Sequence, residues 1–83
     1  MKQPQQFLTI IEREGTGYVA LCPALDIASQ GITVEEARQN VIEAIELFFE
    51  TAAPSEVQNR LHNEVFVTHV EVAVGYATGL LGS

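Results

Sequence analysis

The middle of the chain carries the pattern that most restricts its fold, a capped amphipathic helix. Thr33-Val34-Glu35-Glu36 is a capping box, in which the Thr33 hydroxyl accepts from the Glu36 amide and the Glu36 carboxylate accepts from the Thr33 amide. Apolar residues then recur at three- and four-residue steps. They are Val34, Ala37, Val41, Ala44, Ile45, Phe48 and Ala52, with Ile42 and Phe49 widening the stripe. The pattern predicts a helix from Val34 to Thr51 that buries this stripe against another layer.

The opposite face of this helix is acidic. Its polar residues are Glu35, Glu36, Gln39, Asn40, Glu43, Glu46 and Glu50. Leu47 interrupts that face, and Arg38 projects toward the apolar stripe, where its stem can lie on the edge of the core. The face is either a solvated surface or a docking surface for a basic protein. In the second interpretation, Glu43, Glu46 and Leu47 are the candidate contacts.

Three short segments before the helix have the composition of strands. Residues 7–13 and 18–22 are rich in β-branched and aromatic side chains and flank the turn 14–17, which predicts a hairpin. Pro23 has no amide to donate, so the second strand should end there. Residues 25–30 can form a third strand before Gly31. We assign Gly31, Thr33 and Glu36 structural roles around the start of the helix.

The chain after the helix predicts a short helix and a last strand. Pro54 breaks the long helix, and residues 55–61 can form about two helical turns with Ser55 as the cap. Residues 64–74 are apolar on both faces, which predicts the longest strand, central or covered on both sides. The order β-β-β-α-(short α)-β predicts an α+β domain over residues 1–74, with the long helix on one face of a small antiparallel sheet. The glycine-rich residues 75–83 predict a flexible tail.

Composition restricts the classes of function. The 83 residues suit one domain with a modest core, which favours a homo-oligomer, most simply a dimer. Four basic residues against eleven acidic ones give a net charge of −7. This charge disfavours direct nucleic-acid binding and anionic membranes, and it favours a basic protein partner. A single cysteine, a polar N-terminus and the lack of a long apolar run predict a cytoplasmic protein.

The order of several short motifs resembles the HicB-like antitoxin family of type II toxin–antitoxin systems. The resemblance covers residues 7–50 well and the last predicted strand weakly. Its motifs are Gly17-Tyr18-Val19-Ala20, Cys22-Pro23-Ala24-Leu25-Asp26, and Ser29-Gln30-Gly31-Ile32-Thr33-Val34-Glu35-Glu36-Ala37. The resemblance implies a partly reduced ribonuclease-H-like fold and the binding and silencing of a small, basic, RNA-cleaving toxin of the HicA type. Family members often add a DNA-binding segment, but only a short uncharged tail follows Val74 here, so operator binding is not expected.

The corner formed by Pro23, Ala24, Leu25, Asp26 and Ile27 is a further candidate surface for the partner. Apolar residues around a proline-stiffened turn make a preorganised contact. Asp26 could pair with a basic residue at the RNA site of the toxin. Alternatively, the corner is a plain connecting loop with Leu25 and Ile27 turned inward.

Two of the candidate reactive groups are weak. Cys22 as a nucleophile would need a base such as His62 or His69, and small buried cysteines more often fill a core. The spacing of His62 and His69 matches no zinc pattern. We therefore expect no cofactor and no bound metal.

A nuclease of the ribonuclease-H type would need several carboxylates gathered around metal ions. Glu12, Glu43 and Glu71 are the candidates, and nothing in their spacing requires them to meet. We expect a protein that is not an enzyme. A metal-dependent nuclease remnant and a self-associating regulatory domain are the alternatives.

Overall fold

The computed structural model describes residues 4–61 and 64–75, in which three strands precede two helices. The elements are β1 (Ile10–Glu14), β2 (Gly17–Cys22), β3 (Ile27–Gly31), α1 (Val34–Thr51) and α2 (Pro54–Leu61). Strand β2 lies in the middle of the sheet and runs antiparallel to both neighbours. The α+β class and the order of these five elements are as the sequence predicts. Helix α1 has the predicted bounds, and α2 begins one residue before the predicted start.

The β1–β2 hairpin is shorter than the sequence predicts. Its turn places Gly15 at a φ of 61°, a left-handed conformation that glycine adopts without strain. Ile10 pairs with Leu21, so residues 7–9 run past the last paired position of β1. Pro23 follows β2 and has no amide to donate to them. Strand β1 therefore begins at Ile10 rather than at residue 7.

The start of α1 has most of the predicted capping box. The Glu36 amide donates to the Thr33 hydroxyl at 3.0 Å, and Thr33 has an extended backbone, as a capping residue should. The Glu36 carboxylate accepts from the amide of Ile32, not from the predicted amide of Thr33. The reciprocal bond is thus shifted by one residue, and it ties the helix to the chain just after β3.

Gly31 lies in backbone contact with the first turn of α1. A Cβ atom placed on Gly31 would lie 2.5 Å from the Ala37 nitrogen and 2.8 Å from the Glu36 carbonyl carbon. Neither is a flexible side-chain end that could swing away. The structural roles assigned to Gly31, Thr33 and Glu36 therefore have a common basis, which is the close approach of α1 to the end of β3.

The core is small and lies off-centre in the sheet. Among residues 4–61 and 64–75, five side chains are buried: Ala20, Cys22, Leu25, Ala37 and Val41. Ile11, Tyr18, Ile27 and Ile45 pack around the cluster made by Ala20, Ala37 and Val41. Helix α1 packs mainly on β3, less on β2 and little on β1. The side of the helix that faces beyond β1 is therefore only partly covered.

The predicted last strand is wrong for this structure. Residues 64–75 form no strand, and every one of them is exposed. A strand needs a neighbouring strand to satisfy its amides and carbonyls, and the described part of this chain places none beside these residues. They contribute nothing to the core, although the sequence predicts that they would. The predicted tail lies outside the described residues from Tyr76 onward.

Replacing Gly31 with alanine should destabilise the protein by about 2–3 kcal/mol, because the new methyl group must push the first turn of α1 away from β3. Urea unfolding followed by circular dichroism, at one fixed protein concentration, measures the change. Gly75→Ala is the matched control, since nothing lies within 4 Å of a Cβ built at Gly75. Equal midpoints for the two variants would contradict this account of the helix–strand contact.

Candidate protein-binding surface

The corner after β2 is a closed, four-residue loop. The Leu25 amide donates to the Cys22 carbonyl and the Asp26 amide donates to the Pro23 carbonyl, both at 3.2 Å. Cys22 and Ile27 pair across the strands that the loop joins. Asp26 has a φ of 55°, a left-handed conformation that aspartate tolerates better than most residues. The loop therefore holds the backbone of Asp26 in a defined position.

The loop presents only part of the predicted contact set. Leu25 is fully buried, and Ile27 is half-buried against the core cluster, so the inward alternative describes both. Pro23 and Ala24 are half-buried, and Asp26 is exposed. Leu25 is therefore corrected from a partner contact to a core residue. Asp26 is the side chain of this loop that is most open to a partner.

Arg60 of α2 fastens the loop to the helical layer. Its Nη1 donates to the Leu25 carbonyl, its Nη2 lies 3.5 Å from the Glu56 carboxylate, and its guanidinium lies 5.1 Å from the centre of the Phe48 ring. One side chain thus joins the loop, α1 and α2. Arg60 was not among the residues predicted from the sequence. The four-residue spacing from Glu56 to Arg60 could have suggested their pairing, but not the bond to Leu25.

The outer side of α1 presents the predicted acidic contacts together. Glu46 and Leu47 each lie three or four residues from both Glu43 and Glu50, so the four residues are neighbours on one helix face. All four are exposed, Leu47 by 59%. We call these four residues the acidic face. Among the described residues its three glutamates make no ion pair. Glu43 accepts a long bond of 3.4 Å from Gln39.

The described cations are engaged elsewhere. Arg13 donates to the Tyr18 hydroxyl at 2.9 Å and lies over the Tyr18 ring. Arg38 pairs with Glu35 at 3.6 Å on the surface. With Arg60 held by Glu56 and the loop, the described arginines leave the acidic face uncompensated.

An open groove runs between β1 and α1. Its apolar lining comes from β1 and the segment before it, from α1 and from the end of α2: Phe7, Ile11, Ile42, Ile45, Phe49 and Leu61. Arg38, Glu46 and Glu50 also border it. The volume is about 1150 Å³. The off-centre packing of α1 creates this groove, which was not predicted from the sequence.

The other reactive candidates stay apart. Cys22 is fully buried at the end of β2, and His69 is exposed. Glu12, Glu43 and Glu71 are exposed, and within residues 4–61 and 64–75 no three His, Cys, Asp or Glu side chains gather as a metal site would require. His62 lies outside the described residues. Neither described helix has the length and apolarity that crossing a membrane would demand.

Comparison with known proteins gives one relative. A UPF0150 protein of Synechocystis sp. (strain ATCC 27184 / PCC 6803 / Kazusa) is 48% identical to this chain over 52 residues. This chain is similar to a UPF0150 protein. The match covers 60% of this chain and 66% of the relative, just under two thirds of that protein's length. No family model and no solved structure matches the chain.

Replacing Arg60 with alanine should lower the free energy of unfolding by about 1–2 kcal/mol, because a half-buried, charge-assisted bond and a cation–π contact are lost together. Arg38 also pairs with a glutamate, Glu35, at 3.6 Å, but on the exposed surface. Arg38→Ala should therefore lower the free energy of unfolding by less than about 0.5 kcal/mol. Urea titrations of both variants provide the comparison. An Arg60 variant as stable as the Arg38 variant would show that Arg60 does not anchor the loop.

Proposed function

We propose that this protein is a HicB-like antitoxin that binds and neutralises a small, basic, RNA-cleaving toxin of the HicA type. The acidic face carries the proposal. Its three glutamates surround an exposed leucine and have no cationic partner among the described residues. The protein acts by contact with the toxin and not as an enzyme.

The acidic face has the physical properties of a docking surface for a cationic protein. Like charges at three- and four-residue spacing on a helix repel one another by a few tenths of a kcal/mol per pair. A basic partner relieves that repulsion, and the net charge of −7 speeds its approach. Leu47 adds apolar area at the centre of the charges, where a contact can exclude water.

The β2–β3 loop adds one carboxylate outside the acidic face, on a backbone held by hydrogen bonds. Asp26 is exposed while Leu25 beneath it is buried and Arg60 holds the loop carbonyl. A loop backbone held in this way loses little conformational entropy on binding. An enzyme that cleaves RNA must hold phosphates with cationic groups. Carboxylates placed over those groups would compete with RNA for the same charges.

Three further points belong to the same proposal. The class of partner, a HicA-type toxin, is proposed from the resemblance of residues 7–50 to HicB-like antitoxins. The acidic composition argues that the chain itself does not contact nucleic acid. Because the toxin's target is RNA, we place the protein in the cytoplasm.

Charge removal from the acidic face should weaken toxin binding mainly through slower association. In a Glu43→Gln, Glu46→Gln, Glu50→Gln variant, we expect affinity for a co-expressed HicA-type toxin to fall about 10- to 100-fold at low salt. The difference should shrink at 0.5 M salt, where charges are screened beyond a few ångströms. Surface plasmon resonance at several salt concentrations measures both rates, and RNA cleavage by the toxin reports neutralisation.

The matched control is Glu12→Gln, Glu14→Gln, which removes exposed carboxylates from β1 instead. It should bind within about threefold of wild type. Wild-type protein that neither binds nor silences the toxin rejects the proposal. Equal losses in the two variants would keep the antitoxin role but remove the acidic face as its site.

A further inference from the structure

Residues 64–75 stand away from the rest of the protein, and we call them the arm. All of them are exposed, with Phe66 exposed by 84% and Val70 by 80%. The radius of gyration is 17.0 Å, whereas a compact chain of 83 residues has about 12 Å. An isolated run of exposed valines and phenylalanine is unusual on a soluble monomer and marks a surface that another protein covers.

If the arm is extended, one of its two sides is more apolar than the other. In an extended chain, every second side chain points to the same side. One side then carries Phe66, Thr68, Val70, Val72 and Val74. The other side carries Val65, Val67, His69, Glu71 and Ala73. The first side suits burial, and the second, with its histidine and glutamate, suits the outer surface of a sheet.

The groove between β1 and α1 has the properties of a site for such a strand. Strand β1 is at the edge of the described sheet, so one row of its backbone amides and carbonyls has no strand neighbour. Beside that edge, Ile42, Ile45 and Phe49 line the groove. Its volume of about 1150 Å³ is larger than most small-molecule pockets, which range from about 300 to 1,000 Å³.

We infer that the arm of one copy of this protein occupies the groove of a second copy and adds a strand to the free edge of β1. Phe66, Val70 and Val72 would face α1 of that second copy. This inference does not depend on the toxin-binding role. It follows from an apolar strand without a neighbour and an apolar groove with a free sheet edge, both belonging to the same chain.

The second copy is a better occupant than the arm's own chain. In the structure the arm is exposed while its own groove is open. Exchange between two copies also forms a closed, symmetric dimer, since each copy gives one arm and receives one. The apolar area that exchange would bury is large compared with the core of this domain, in which five of the described side chains are buried.

Sedimentation equilibrium on arm variants tests the exchange. Wild type should be a dimer, and Val72→Asp, which places a carboxylate on the apolar side, should raise the dimer dissociation constant at least about 100-fold. Val67→Asp makes the same change on the other side of the arm and should alter it less than about tenfold. The arm contributes nothing to the core of its own chain, so both variants should keep the helical circular dichroism signal of the wild type. A monomeric wild type, or equal effects of the two variants, overturns the inference.

A spin-label experiment identifies whose groove is filled. A label on Glu71→Cys is carried by isotopically unlabelled copies, which are mixed with ¹⁵N-labelled copies that carry no spin label. Native Cys22 is fully buried and shielded from the reagent. Broadening of β1 amides in the ¹⁵N-labelled copies supports exchange. Broadening of β1 only when the label and ¹⁵N are in the same chain shows that the arm folds back, and this result overturns the inference.

Discussion

The contact between Gly31 and the first turn of α1 determines how the rest of the molecule is arranged. With no side chain at Gly31, the helix backbone comes within contact distance of the strand. Farther along, the Asn40 side-chain amide donates to the Gln30 carbonyl at 2.8 Å, so a second bond holds α1 over β3. A helix fixed this close to the edge strand β3 covers β1 only in part. The groove is thus a consequence of the way α1 is anchored, and it is not a defect in packing.

Polar contacts provide part of the stability that the small core cannot provide. Arg60 reaches a carbonyl 35 residues away in the sequence and lies over the Phe48 ring. A bond from a charged donor contributes more than a neutral one because the donor keeps its charge paired as it leaves water. The same bond fixes the loop that displays Asp26. Stability and the presentation of a candidate contact therefore depend on one side chain.

The sequence predicted the local features well because nearby residues determine them. The bounds of α1 follow from Thr33, Pro54 and the apolar spacing between them, and the hairpin follows from its turn. Features that depend on distant partners were missed or wrong. Leu25 was equally compatible with burial and exposure until the loop's position under α2 was known. Nothing in the sequence around Arg60 indicates that its side chain binds the Leu25 carbonyl.

The last predicted strand illustrates the same distinction more sharply. Residues 64–74 have strand composition, and in the structure they are not helical. Composition does not identify the neighbour, because strand pairing is a property of two segments. The structure shows a free edge on β1 and an arm without a neighbour, but no pairing between them within one chain. That arrangement is what moves the expected partner from the same chain to another copy.

The two proposed surfaces meet at Glu46 and Glu50, which belong to the acidic face and also border the groove. If an arm fills the groove, it removes water from one side of both carboxylates. Their repulsion then rises, and so does their attraction for a cation, because the local dielectric constant falls. A basic partner would consequently bind the dimer more tightly than the monomer. By thermodynamic linkage, binding of the partner would favour dimerisation by the same factor. The partner would therefore stabilise the exchanged dimer.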